Sequence, residues 1–131
     1  MPLHPQRYAR ILGEKIEQHN VAVWFINTGW TGGPYGVGNR MAIHHTRAIV
    51  NAVLDGNLNT VPTNTDPIFG LEVPTECPGV PAEVLDPRDT WSDKTAYDEQ
   101  ARKLAQLFDE NFTKYSDEVS DAVRAAGPLL T

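Results

Sequence analysis

A chain of 131 residues is long enough for a single domain, residues 1–131, with its own core; at this size roughly two thirds of the unfolded surface is buried on folding. Its 40% apolar and 21% charged residues exclude a disordered chain, and a formal charge of -6 argues against a nucleic-acid partner, which needs a basic footprint. No apolar run can span a bilayer, no basic-then-apolar leader opens the chain, and the single cysteine, Cys77, cannot form an internal disulfide, all compatible with a cytoplasmic protein that has no membrane partner.

The first expected element is a helix over residues 5–19. Tyr8, Leu12 and Ile16 recur four apart, Ile11 widens the apolar stripe, and Glu14, Lys15 and Glu17 face water. Pro5 suits a first helical turn, and Asn20 suits a left-handed stop. Residues 21–26, Val-Ala-Val-Trp-Phe-Ile, are continuously apolar and rich in β-branched and aromatic side chains, which predicts a strand buried on both faces. Helix, strand and then a glycine-rich loop is the order of an α/β domain. That loop, residues 27–38, holds five glycines and a proline, so it has no regular structure and lets backbone approach a ligand closely. A short extended piece is expected over residues 40–43. A second helix follows over residues 46–54, burying Ile49, Val50, Val53 and Leu54 and ending at Gly56.

Residues 56–91 carry prolines at 62, 67, 74, 78, 81 and 87, which hold the chain mostly extended. Residues 68–73 are the best strand candidate there. Tyr97, Ala101, Leu104, Phe108, Phe112 and Tyr115 then step by three or four, a long helix whose aromatic stripe is core, with Ser92 as its N-cap. A short helix over residues 119–126 ends at Gly127-Pro128.

Gly33-Pro34-Tyr35-Gly36-Val37-Gly38 follows a predicted strand and matches the opening of a phosphate-binding loop. Such a loop continues with a lysine for the phosphates and a serine or threonine for magnesium. Here Asn39 and Arg40 stand in those places, and neither fills the role. The glycine loop instead delivers Arg40 beside the next helix. A guanidinium stacks on an aromatic base while donating hydrogen bonds at its edge, and Thr46 offers a hydroxyl. The plainer assignment, an exposed arginine and a threonine helix cap, is the one chemistry alone favours. His44 and His45 are neighbours that diverge by about 100° on a helix and do not converge on one metal. Four converging ligands for a structural zinc are not visible. Cys77 has only the repulsive Glu76 beside it and lacks the setting of a nucleophile. Glu72, Glu76, Asp86 and Asp89 read as scattered surface carboxylates.

Several segments together resemble the end of the ATP-dependent phosphoenolpyruvate carboxykinases. They are Asn27-Thr28-Gly29-Trp30-Thr31-Gly32-Gly33-Pro34-Tyr35-Gly36-Val37-Gly38, Thr46-Arg47-Ala48-Ile49-Val50, Pro67-Ile68-Phe69-Gly70-Leu71-Glu72-Val73-Pro74 and Pro78-Gly79-Val80-Pro81. Asp86-Pro87-Arg88 and Ala126-Gly127-Pro128 extend the match in order and spacing across essentially the whole chain. The resemblance implies the C-terminal part of that family's mixed-sheet nucleotide-binding domain. It also implies a part in converting oxaloacetate and ATP into phosphoenolpyruvate, ADP and carbon dioxide, with magnesium and manganese, in gluconeogenesis. Arg40 and Met41 would line the adenine site, and Thr46 would hydrogen-bond near the base.

Two departures bear on nucleotide affinity: Asn39 stands where the family usually has lysine, and Ala42-Ile43-His44 where Ser-Ile-Lys is common. By the same resemblance, the phosphate loop, the metal-binding lysine, histidine and aspartate, and the substrate-binding arginine lie upstream of the match. Met1-Pro2-Leu3-His4-Pro5 would be internal in the family, which makes Met1 a truncation point. The chain is then expected to lack catalytic residues and metal ligands, to be inactive alone, and to partner the missing N-terminal portion. A stand-alone, non-catalytic nucleotide-binding or protein-interaction module is the alternative, and self-association through uncovered surface is a further outcome.

Overall fold

A computed structural model describes residues 4–129; residues 1–3 of the opening segment lie outside them. The first helix, α1 (Pro5–His19), begins and ends as the sequence predicts. Pro5 occupies its first turn, the His4 ring accepts from the Gln6 N–H, and Asn20 takes the left-handed conformation at φ 47°. Its apolar stripe is not buried, however. Leu12 is 62% exposed, Tyr8 and Ile11 are also exposed, and only Ile16 of the predicted stripe is half-buried.

Residues 21–28 carry the largest correction. They form no strand, and among the described residues no strand pairs with them. Phe25 is 85% exposed and Val23 55%. An apolar run becomes a buried strand only when neighbours supply hydrogen bonds and cover, and here neither is present. Trp24 alone turns inward, packing on the core while its Nε1–H donates to Asn59 Oδ1 at 3.4 Å.

A two-stranded antiparallel ribbon follows, β1 (Trp30–Thr31) with β2 (Asn39–Arg40), in the register Trp30 to Arg40 and Thr31 to Asn39. The second helix, α2 (Ile43–Leu54), starts three residues earlier than residues 46–54 predict. Ala42 is its N-cap without a side-chain hydrogen bond, so Thr46 lies inside the first turns and is not a cap. Its inward stripe is Ala48, Ile49, Ala52 and Val53. Leu54 is 78% exposed and Val50 is also exposed, which corrects half of the predicted face. Gly56 follows at φ 74°.

The proline-rich middle holds a second antiparallel ribbon, β3 (Thr63–Thr65) with β4 (Glu72–Pro74). The strand predicted over residues 68–73 is therefore displaced toward its end. Asp66 Oδ1 accepts from the Ile68 and Phe69 N–H groups at 2.9 and 2.7 Å, winding residues 66–70 into a turn that Gly70 closes at φ 65°. Two helical turns then appear where the prolines suggested extended chain: α3 (Ala82–Leu85) and α4 (Pro87–Thr90). Pro81 precedes the first, while Pro87 opens the second under an Asp86 side-chain cap on Arg88 N–H. Proline starts helices as readily as it breaks them.

The long helix is α5 (Lys94–Phe112), capped by Asp93 and not by Ser92: the Asp93 carboxylate accepts from Thr95 and Ala96 N–H. Its buried residues are Ala101 and Ala105, whereas Phe108 and Leu104 are exposed. The aromatic stripe is thus only partly core, with Phe108 edge-to-face on Phe69 at 6.5 Å. A short α6 (Asp121–Ala125), capped by Ser120, follows a 3-10 turn.

The core is small: Ala52, Leu58, Cys77 and Val80, flanked by Trp24, Ala48, Ile49, Val53, Val61, Val84 and Leu85. No large side chain among the described residues is fully buried. Helices and small sheets mix along the chain as an α/β reading expects, with both described sheets antiparallel ribbons.

Candidate functional site

The glycine loop is a closed hairpin tip. Val37 and Gly38 N–H both donate to the Pro34 carbonyl, at 3.0 and 2.9 Å, and Met41 N–H donates to Gly29 O at 3.0 Å. A phosphate cradle needs backbone N–H groups left open toward an anion and a helix directly behind them. Here the Val37 and Gly38 amides are spent on the loop's own Pro34 carbonyl, and β2 intervenes before α2. Gly38 is the tightest point: a Cβ there would sit 2.5 Å from Gly33 O and 2.6 Å from Thr31 O. The tip is tied to the rest of the molecule by Gly32 N–H, which donates to Thr90 Oγ1 at 3.0 Å.

This hairpin positions Arg40. It ends β2 opposite Trp30, is exposed, and among the described residues its side chain has no hydrogen bond or ion pair. Directly opposed residues of an antiparallel pair point to the same side, so Arg40 and Trp30 share a face. Trp30 also stacks edge-to-face on Tyr35 at 5.2 Å. Met41, half-buried, lines a cavity of about 520 Å³ with Trp30, Thr31, Val23 and Phe25. Thr46, half-buried on α2, gives its N–H to Ala42 O at 3.3 Å, and among the described residues its hydroxyl has no partner. Only Met41 of the three lines the cavity; Arg40 and Thr46 stand outside its wall. The exposed Trp30–Tyr35 pair beside Arg40 was not singled out in the sequence, although two aromatics flanking a glycine tip are a visible signal there.

The His44 and His45 rings meet edge-to-face at 4.1 Å, closer than helical divergence suggests. In a first turn no preceding turn crowds the side chains, so their rotamers are free to swing together. Among the described residues no three His, Cys, Asp or Glu side chains form a group that could hold a metal.

A second cavity, about 310 Å³, lies between β3–β4 and the α3–α5 region. Arg88 spans its wall to Asp98 with two hydrogen bonds, Nε to Oδ1 at 2.8 Å and Nη2 to Oδ2 at 3.1 Å. The Arg88 hydrogen bond holds the Asp98 carboxyl below its usual range, and burial pushes the Tyr97 phenol up. Hydrogen bonds from Thr63 and Thr65 hydroxyls likewise lower Glu72. These pairings fasten short elements together, and neither carboxylate is free to act as a base. Cys77 is buried, which raises its thiol and disfavours the nucleophilic thiolate.

Comparison with known proteins adds a family. A sequence model described as phosphoenolpyruvate carboxykinase matches residues 1–83. A Thermus thermophilus protein named phosphoenolpyruvate carboxykinase (ATP) is 59% identical over 128 residues, covering 98% of this chain and 24% of its own length. A Moorella thermoacetica protein named phosphoenolpyruvate carboxykinase (ATP) 2 is 56% identical over 130 residues, 99% of this chain and 24% of its own. One from Geobacter metallireducens, also named phosphoenolpyruvate carboxykinase (ATP), is 56% identical over 94% of this chain and 23% of its own length. The chain spans about a quarter of the length of these curated relatives.

Proposed function

The chain belongs to the phosphoenolpyruvate carboxykinase family, and from that premise we propose that residues 1–131 act as one unit, the C-terminal part of the enzyme's nucleotide-binding domain. In this reading they contact the adenine of ATP through Arg40, Met41 and Thr46. The complete enzyme would convert oxaloacetate and ATP into phosphoenolpyruvate, ADP and carbon dioxide. The observation that carries the reading is an arginine without a partner among the described residues, held at the end of a braced hairpin just ahead of a helix. A planar guanidinium in that position can stack on a base and donate at its edge. Thr46, relieved of capping α2, has a hydroxyl to offer, and Met41 supplies an adaptable apolar contact.

Phosphoryl transfer works by positioning and by electrostatic stabilisation of charged oxygens. Among the described residues the Val37 and Gly38 amides close on the Pro34 carbonyl, and no group of three or more His, Cys, Asp or Glu side chains gathers to hold a metal. In this reading the chemistry belongs to the remainder of a polypeptide of the relatives' length. The stand-alone module is not favoured, since the relatives are about four times as long as the match.

Titration of the 131-residue chain with ATP tests this reading. The expected dissociation constant is about millimolar, or roughly -4 kcal/mol, weakened several-fold in Arg40→Ala, with no oxaloacetate-dependent ATP consumption. Micromolar binding indifferent to Arg40→Ala, or measurable turnover, refutes it.

A further inference from the structure

The hairpin that carries Arg40 has little of its own to hold it in place. Its ladder is two residues on each side, and a two-stranded ribbon alone is marginal in water. Arg40 is therefore only as well placed as whatever fixes the ribbon to the rest of the molecule. Among the described residues one hydrogen bond joins residues 29–41 to a distant part of the chain: the Gly32 N–H, just past β1, donates to Thr90 Oγ1 at 3.0 Å. The approach is close, for a Cβ on Gly32, at φ 77°, would lie 3.3 Å from the Thr90 carbonyl oxygen.

Thr90 is set up for this contact. Its hydroxyl donates its proton to the Pro87 carbonyl at 2.7 Å, so toward Gly32 it can only accept. It is half-buried and lines the 520 Å³ cavity beside Thr31 and Met41. A single turn of four residues such as α4 is too short to persist alone. The turn is fastened to α5 by the two Arg88–Asp98 hydrogen bonds, by the Asp89–Lys94 ion pair, and by Trp91 edge-to-face on Tyr97 at 5.6 Å. Thr90 thus connects the hairpin to the 19-residue helix.

We propose that Thr90 is a positioning residue of the nucleotide site: its hydroxyl holds the Gly32 amide, and through it the setting of Arg40 against the adenine. This rests on the nucleotide reading above and adds to it a residue of α4 that touches no base. If Thr90 only closed the α4 turn through Pro87, its loss would lower stability without any coupling to Arg40.

The test uses the labelled 131-residue chain with Thr90→Val, which keeps the branched shape and removes the hydroxyl, and Thr90→Ser, which keeps the hydroxyl. Adenosine affinity and exchange of the Gly32 amide are read together, well below the melting temperature of each variant. Losing one such hydrogen bond shifts a population roughly three- to ten-fold. Thr90→Val should therefore weaken adenosine binding and speed Gly32 exchange by that factor, and Thr90→Ser should restore both. On an Arg40→Ala background, Thr90→Val should weaken binding no further, the signature of two residues acting as one unit. If Thr90→Val leaves either quantity unchanged while Arg40→Ala weakens binding, the proposal fails alone. Equal losses from Thr90→Val with and without Arg40 also overturn it, and assign Thr90 to the stability of α4. Arg40→Ala without effect on adenosine binding sinks the nucleotide reading and this proposal together. Should Thr90→Val not melt cooperatively, the parent chain decides. Adenosine at about ten times its dissociation constant should slow Gly32 exchange about ten-fold, and unchanged exchange overturns the proposal.

Discussion

Gly38→Ala is the sharpest mutational probe of the hairpin that presents Arg40. The added methyl would lie 2.5 Å from Gly33 O, 2.6 Å from Thr31 O and 2.8 Å from Gly33 N. All three are backbone atoms, so no flexible side chain can move aside. Relief requires opening the tip by roughly half an ångström or more, which breaks the pairing of β1 with β2. Overpacking of this kind costs about 1–3 kcal/mol, and three simultaneous backbone contacts place it toward the upper end. With a urea slope of about 1.5 kcal/mol per molar, a loss of about 2–3 kcal/mol lowers the unfolding midpoint by about 1.3–2 M. Gly13→Ala is the internal control. It lies inside α1 with nothing within 4 Å of its built Cβ, and alanine there should stabilise by about 0.5–1 kcal/mol. Urea titrations of both variants, read by circular dichroism, check the pair. A Gly38→Ala midpoint within error of the parent would refute the close-approach reasoning.

Leu58→Ala removes the largest member of the small buried cluster and should cost about 2–4 kcal/mol, measured by the same titration. The Arg88–Asp98 pair gives a pH signature. Asp98 is held below its ordinary value by Arg88, so the pair's contribution is complete above the unfolded carboxylate value. It is lost as pH falls through the lowered folded one. Melting curves of the parent and Asp98→Asn should therefore differ near neutrality and converge in acid; a constant gap contradicts the assignment. Cys77 is buried with a raised thiol, so a thiol reagent should react slowly in buffer and rapidly in denaturant, and fast reaction in buffer counts against the packing of Cys77 against Val80.

Elements whose causes are local were legible in the sequence. The left-handed stop at Asn20 needs only asparagine's own tolerance, and the long helix after residue 93 needs only its period. Where signals lay close together, boundaries moved: Asp93 outcompeted Ser92 as a cap, and Asp66 wound a turn where residues 68–73 had suggested strand. The helical turn at Pro87–Thr90 carries a readable start signal too, Pro87 behind Asp86, as Pro5 does for α1, although the density of prolines over residues 56–91 favours extended chain. What no local rule could supply was the fate of residues 21–26. Their composition says strand, whereas strand pairing and burial depend on neighbours, and among the described residues no strand pairs with them. At the site, Arg40 was legible as a residue delivered by the loop. Thr46 was legible as a hydroxyl beside that loop but not as a residue inside α2, because the helix begins at Ile43 and not at Thr46.

The proposed division of labour, base contacts in this chain and phosphate contacts elsewhere, is most directly tested by comparing adenosine with ATP. Chemical-shift titrations of the labelled 131-residue chain should give dissociation constants for the two ligands within a few-fold of each other, both weakened alike by Arg40→Ala. ATP binding a hundred-fold tighter than adenosine, about 2.7 kcal/mol of phosphate recognition, would contradict it.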